Sequence, residues 1–182
     1  MDLLDLLLDH DHWATARLLE VSGDLTDAQL DRPFDIGHRT LRATFGHMIF
    51  NVPFWTAFLA GQPADGGSSA DAQPGDRSLA ALIDHHERSY AAFAGIARRL
   101  RDEQRLGEIY VDHYAVRKSF GGTILMVVEH NEGHRFEALH ILERLGVPDL
   151  PEVDLGVWDY LLQNTEPVVP SGPNPALTPS NG

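Results

Sequence analysis

The chain has 182 residues and a mass of 20.2 kDa, about the size of one ordinary domain. Its 43% hydrophobic and 23% charged residues are a globular balance, and no apolar run approaches the roughly 18 residues a membrane span needs. Fourteen Lys plus Arg against 27 Asp plus Glu leave a formal charge of −13, which repels phosphate backbones and anionic lipid and argues against nucleic-acid or membrane partners.

The opening MDLLDLLLDHDHW lacks a basic n-region and carries Asp every few residues. It reads as the start of a helix rather than a signal peptide, and the cytoplasm is the expected location. Leu4, Leu8, Trp13, Ala16 and Leu19 recur at helical spacing from about Asp2 to Ser22, with Gly23 as a stop. Thr26-Asp27-Ala28-Gln29 has capping-box form and predicts a short turn of helix before Pro33. A second long helix is expected from Thr40 to Ala60, kinked or broken at Pro53.

Residues 61–77, GQPADGGSSADAQPGDR, are poor in large apolar side chains and read as a crossover loop or mobile linker. Leu79, Leu82, Ile83, His86, Tyr90, Phe93, Ile96, Ala97 and Leu100 make a stripe for a third helix. It is expected to start near Ser78 and end around Leu106-Gly107. EIYVDHYAVRKSFGG, residues 108–122, suits an extended connection or a brief strand. The fourth long helix is expected to open with Thr123 as cap and to end at Leu145, with Gly146 at C′ and Pro148 beyond. Trp158, Tyr160, Leu161 and Leu162 predict a short amphipathic piece, and the Pro-rich residues 164–182 an extended or disordered tail. The class that fits is all-α: a four-helix bundle over residues 1–163 with a long crossover loop and a tail.

There is no cysteine, so disulfides, thiolate nucleophiles and cysteine metal sites are excluded, and any catalytic thiol must arrive on a small molecule. Histidine occurs ten times. On the fourth helix, with His130 at zero, His134 falls at about 40° and Glu137 at about 340°. Both imidazoles stand on an apolar stripe with Met126, Val127 and Ile141. Leu125, Val128, Phe136 and Leu139 form a second apolar group, which predicts a largely buried helix. On the second helix His47 sits among Phe50, Phe54 and Phe58.

A buried imidazole needs partners for both ring nitrogens, and two at i and i+4 can converge on one cation. A third from a facing helix would complete a three-nitrogen site with an open position. The alternative is a set of hydrogen-bonded core histidines. The zincin pattern does not apply, because Asn131 follows His130 and Glu132 lies at about 200°. His10 and His12 should diverge, His86 suits a core or pocket rim, and His140 a peripheral place. Glu137 is either an acceptor or oxygen ligand beside His134 or a solvated carboxylate. Gly66-Gly67 and Gly121-Gly122 read as turns.

Three stretches carry a resemblance to the DinB/YfiT-like proteins. They are LDHDHWATARLLEVSGDLTDAQLDRP, RTLRATFGHMIFNVPFW and EHNEGHRFEALHILERLGVP, and the resemblance covers roughly residues 1–146. The resemblance implies a DinB-like bundle, often dimeric, holding a divalent metal (zinc, nickel, iron or manganese) through His47, His130 and His134. It also implies a metal-dependent enzyme that transfers a low-molecular-weight thiol to an electrophilic small molecule. A metal-lowered pKa suits a bound water, and so a hydrolase, equally well, and Glu137, one turn below His134 on the same face, is placed as a base or orienting group by that position alone. The alternative is a non-catalytic, metal-stabilised stress or binding protein. Phe136 and Glu137 depart from the family's usual HRGQ.

Overall fold

The computed structural model describes residues 2–62 and 75–164; the middle of the expected crossover loop, including Gly66-Gly67, and nearly all of the expected tail lie outside them. Four long helices account for most of these residues: α1 (Leu3–Val21), α3 (Leu41–Leu59), α4 (Leu79–Asp102) and α5 (Phe120–Leu145). The short α2 (Asp27–Leu30) follows α1, and an antiparallel hairpin of β1 (Ile109–Val111) and β2 (Arg117–Ser119) precedes α5. α3 packs on α4 and α5, and α1 packs on the same two, so α1 and α3 are diagonal in a four-helix bundle.

Local chemistry sets the helix starts. Asp2 and Asp5 form a capping box at α1, and Thr26 and Gln29 form the expected one at α2. Thr40 caps α3 by accepting from the Ala43 N–H at 3.1 Å. Arg42, buried in the first turn of α3, donates to Asp31 at 2.8 Å and to the Arg77 carbonyl at 2.6 Å. That ties the N-terminal end of α3 to the turn after α2. Gly146 ends α5 in the left-handed conformation, φ 78°, as its position predicts.

Several expectations need correction. α3 continues as one helix through Pro53, so of the expected kink or break the break is absent. α4 ends at Asp102, where Glu103 caps it and Gln104 turns left-handed at φ 58°, short of the expected Leu106. Ser119, not Thr123, caps α5, and Gly121-Gly122 lie in its first turn rather than in a loop. A β-carbon on Gly121 would sit 3.1 Å from the Leu106 carbonyl, whose oxygen accepts the Gly121 N–H at 2.8 Å. Thr123 instead bonds Tyr110 on the hairpin, oxygen to oxygen, at 2.7 Å. α5 is buried on one side only: Leu125 is 57% exposed and Phe136 62%. The core gathers Leu8, Val52, Trp55, Phe93, Leu100 and Val127 from all four long helices.

The compact unit that holds the bundle ends at Pro151. The second unit contains α6 (Leu155–Gln163), capped by Asp154. Trp158 is buried, whereas Tyr160, Leu161 and Leu162 are exposed. Among the described residues no helix is long and apolar enough to cross a membrane.

Candidate metal centre

His130 and His134 lie one turn apart on α5, and α3 brings His47 to them. The Nε2 atom of His130 is 3.0 Å from Nε2 of His47 and 3.2 Å from Nε2 of His134. The three rings are tilted or edge-on to one another, at 46°, 75° and 73°. Lone pairs lie in the ring planes, so crossed planes let them meet. Burial and the neighbouring His134 push His130 down to about 4, so its ring is neutral at pH 7. Its Nδ1 faces the Asn51 amide at 3.5 Å. Glu137 Oε2 lies 3.0 Å from His134 Nδ1, the orienting contact that one of its two readings anticipates.

A fourth imidazole joins these three. His38 stacks on His47, with centroids 3.9 Å apart and planes 27° apart, and lies 5.1 Å from the His134 ring. One ring nitrogen from each of His38, His47 and His134 falls within 4.8 Å of the others. Periodicity could not find His38, because it comes from the loop before α3 and not from a helix face. That loop closes on itself: the Phe34 N–H donates to the Arg39 carbonyl at 2.6 Å, and the Arg39 N–H to the Ile36 carbonyl at 2.7 Å. Gly37, at φ 41°, rests on the Glu137 carboxylate, where a β-carbon would come within 2.1 Å of Oε2. Only glycine lets the loop approach this closely.

The other histidines separate. His10 is buried near Trp13, and His140 is exposed. His86 is buried on α4, beside His12 and Tyr90 and apart from the expected trio. Behind the metal-centre candidates, Arg135 and Asp11 form a buried ion pair between α5 and α1.

The sequence matches the DinB superfamily over residues 10–138, most of the bundle. The chain belongs to the DinB superfamily. Its fold is similar to that of a DinB-like protein from Bacillus cereus ATCC 10987, with a TM-score of 0.62 and 21% identity, over 80% of this chain and 92% of that one. None of the curated proteins matches it. Membership fits the four-helix plan, and the imidazole cluster lies between α3 and α5 within it.

Proposed function

We propose that this DinB-superfamily protein binds one divalent cation through His47, His130 and His134. The proposed activity of the loaded centre is transfer of a low-molecular-weight thiol to an electrophilic small molecule, or hydrolysis of one. The observation that carries the cation is the position of the His130 Nε2, 3.0 and 3.2 Å from two other imidazole nitrogens. Ligand nitrogens at 2.0–2.1 Å from a tetrahedral ion sit about 3.3 Å apart, close to both spacings. Hydrogen bonding alone accounts for them less well, since one ring nitrogen carries at most one proton for two contacts.

Imidazole-only donors suit zinc, nickel, iron or manganese alike. Such an ion, when bound, supplies Lewis acidity and lowers the pKa of a thiol or water brought to it. The protein's part is to aim the rings. Glu137 holds His134 through Nδ1, which leaves Nε2 free to ligate. The chain has no cysteine, so the thiol would be diffusible.

One observation favours a second reading, a closed structural centre: His38 stands beside the trio. His38 stacks on His47 with planes 27° apart, however, and it is not one of the two nitrogens that meet the His130 Nε2. A three-nitrogen centre without His38 is compatible with an open position, and we favour the enzyme.

Elemental analysis of the purified chain tests the cation. One equivalent of metal, lost in His134→Ala, is the expected result. No metal in either protein, with a melting temperature that zinc and nickel leave unmoved, overturns it. His38→Ala separates the two readings: the open centre keeps its metal, and a closed one loses it.

A further inference from the structure

The loop that carries His38 also walls a cavity of ≈ 690 Å³, lined by Phe34, Asp35, Gly37, Arg39 and Arg144 among others. We propose that this cavity takes the carboxylate end of the small molecule whose other end reaches the imidazole cluster. This rests on the reading of that cluster as the reactive centre, and it adds a substrate class: anionic, carboxylate-bearing compounds.

The chain carries −13 overall, yet this cavity is lined by two arginines and one carboxylate. The carboxylate, Asp35, is already engaged by Arg144 at 2.5 Å, which holds its carboxyl below the ordinary range. Arg39 makes no ion pair among the described residues. A third guanidinium, Arg32, lies 5.3 Å from the Phe34 ring centroid, and Arg144 lies 4.7 Å from the same ring. Buried Phe34 thus holds two cations in place by their faces.

Arg39 is not glycine, yet its φ is 71°, a conformation that a β-carbon disfavours. The loop's own hydrogen bonds impose it, on both the Arg39 N–H and its carbonyl. An unpaired arginine fixed in a disfavoured conformation at a cavity wall is placed there by the fold rather than by its own preference. The neighbouring His38 stacks on His47, and Gly37 touches the carboxylate that bonds His134. One short loop therefore joins a cationic cavity to the cluster. Arginine suits a planar carboxylate through paired N–H donors.

The test compares N-acetyl-L-cysteine with N-acetyl-L-cysteine amide, which has the same thiol and no carboxylate. Binding to the full chain is measured by calorimetry with and without added zinc. The acid is expected to bind about 10-fold or more tightly than the amide. Arg39→Asn, which tolerates positive φ, and Arg144→Gln are each expected to cut acid binding by about 10-fold and to leave amide binding unchanged. Arg39→Lys restores part of the preference.

Equal affinity for the two probes, no binding of either, or a preference that survives Arg39→Asn overturns the proposal. So does loss of both probes in Arg39→Asn that Arg39→Lys does not repair. Failure of the metal reading shows separately, as absence of bound zinc, and the acid–amide comparison is still read without metal.

Discussion

Arg135→Met removes one half of the ion pair that joins α5 to α1. Both partners are sealed from water, Asp11 at 0% and Arg135 at 3% side-chain exposure. With the guanidinium gone, Asp11 keeps only neutral partners, the Asn131 amide at 2.8 Å and the nearby Tyr90 hydroxyl. A buried charge stripped of its partner costs about 3–5 kcal/mol. Against a total stability of about 5–15 kcal/mol that is a large fraction. At about 2–4 °C per kcal/mol for a chain of this length, the melting temperature should fall by roughly 6–20 °C. Replacing both partners, Asp11→Leu with Arg135→Met, removes the stranded charge. It should recover most of the loss, apart from about 1–3 kcal/mol for the Asn131 amide left without its acceptor. Urea unfolding followed by tryptophan fluorescence and circular dichroism measures the parent, the two single variants Arg135→Met and Asp11→Leu, and the double variant. The reasoning fails if Arg135→Met stays within about 1 kcal/mol of the parent. It fails equally if the double variant is as unstable as the two single losses added together.

Gly37→Ala forces a β-carbon onto the Glu137 carboxylate, which must swing away from His134. Zinc affinity, measured by competition with a chelator, should weaken about 10–100-fold, and an unchanged affinity would show that Glu137 does not orient the ring. Two glycines of α5 should respond with opposite signs. Gly146→Ala, at φ 78°, should lose about 1 kcal/mol, and Gly133→Ala, with open space around its α-carbon, should gain about 0.5–1 kcal/mol, both from denaturant midpoints. Burial, with His12 next, pushes His86 down to about 4, while Glu87 opposes and Arg135 adds to the shift. The unfolded chain therefore binds a proton that the folded chain refuses between about pH 6.5 and pH 4. Stability should fall across that window on acidification, by up to about 3 kcal/mol, and His86→Gln should flatten the profile.

Helix positions were legible because capping and periodicity act locally. Asp2, Thr26, Thr40 and Ser78 cap as their residue types suggest, and Gly146 stops α5. The errors fall where tertiary packing decides. Thr123 resembles a cap, but the β1–β2 hairpin pairs through Ser119, so the helix starts at Phe120 and the threonine hydroxyl is drawn to Tyr110. Pro53 stays inside α3, where the helix packs on both α4 and α5. Leu125 and Phe136 look like core residues on a wheel, but α1 and α3 cover only the opposite side of α5. His47, His130 and His134 could be placed together because each lies on a helix face with a computable direction. His38 and Arg39 could not, because their positions depend on the hydrogen-bonded closure of a loop and on a positive φ.

A second group of the same residue types shows why geometry, rather than composition, singles out the α3–α5 cluster. His12, His86 and Glu87 also bring three possible ligand atoms within 4.8 Å. Their rings are stacked, however, with planes 19° apart, so the in-plane lone pairs run side by side instead of crossing. Two of the nitrogens are also engaged: His86 Nε2 lies 3.3 Å from the His12 carbonyl, which can only accept, and His12 Nε2 lies 3.1 Å from Glu87. A nitrogen that donates its proton to a carbonyl has no lone pair to offer a cation. In the other cluster the planes cross, and His130 Nε2 meets two more ring nitrogens. The expected zinc stoichiometry is therefore one equivalent per chain, abolished by His134→Ala and untouched by His12→Ala. Two equivalents, with one lost in each variant, would show that ring orientation does not decide where metal binds in this fold.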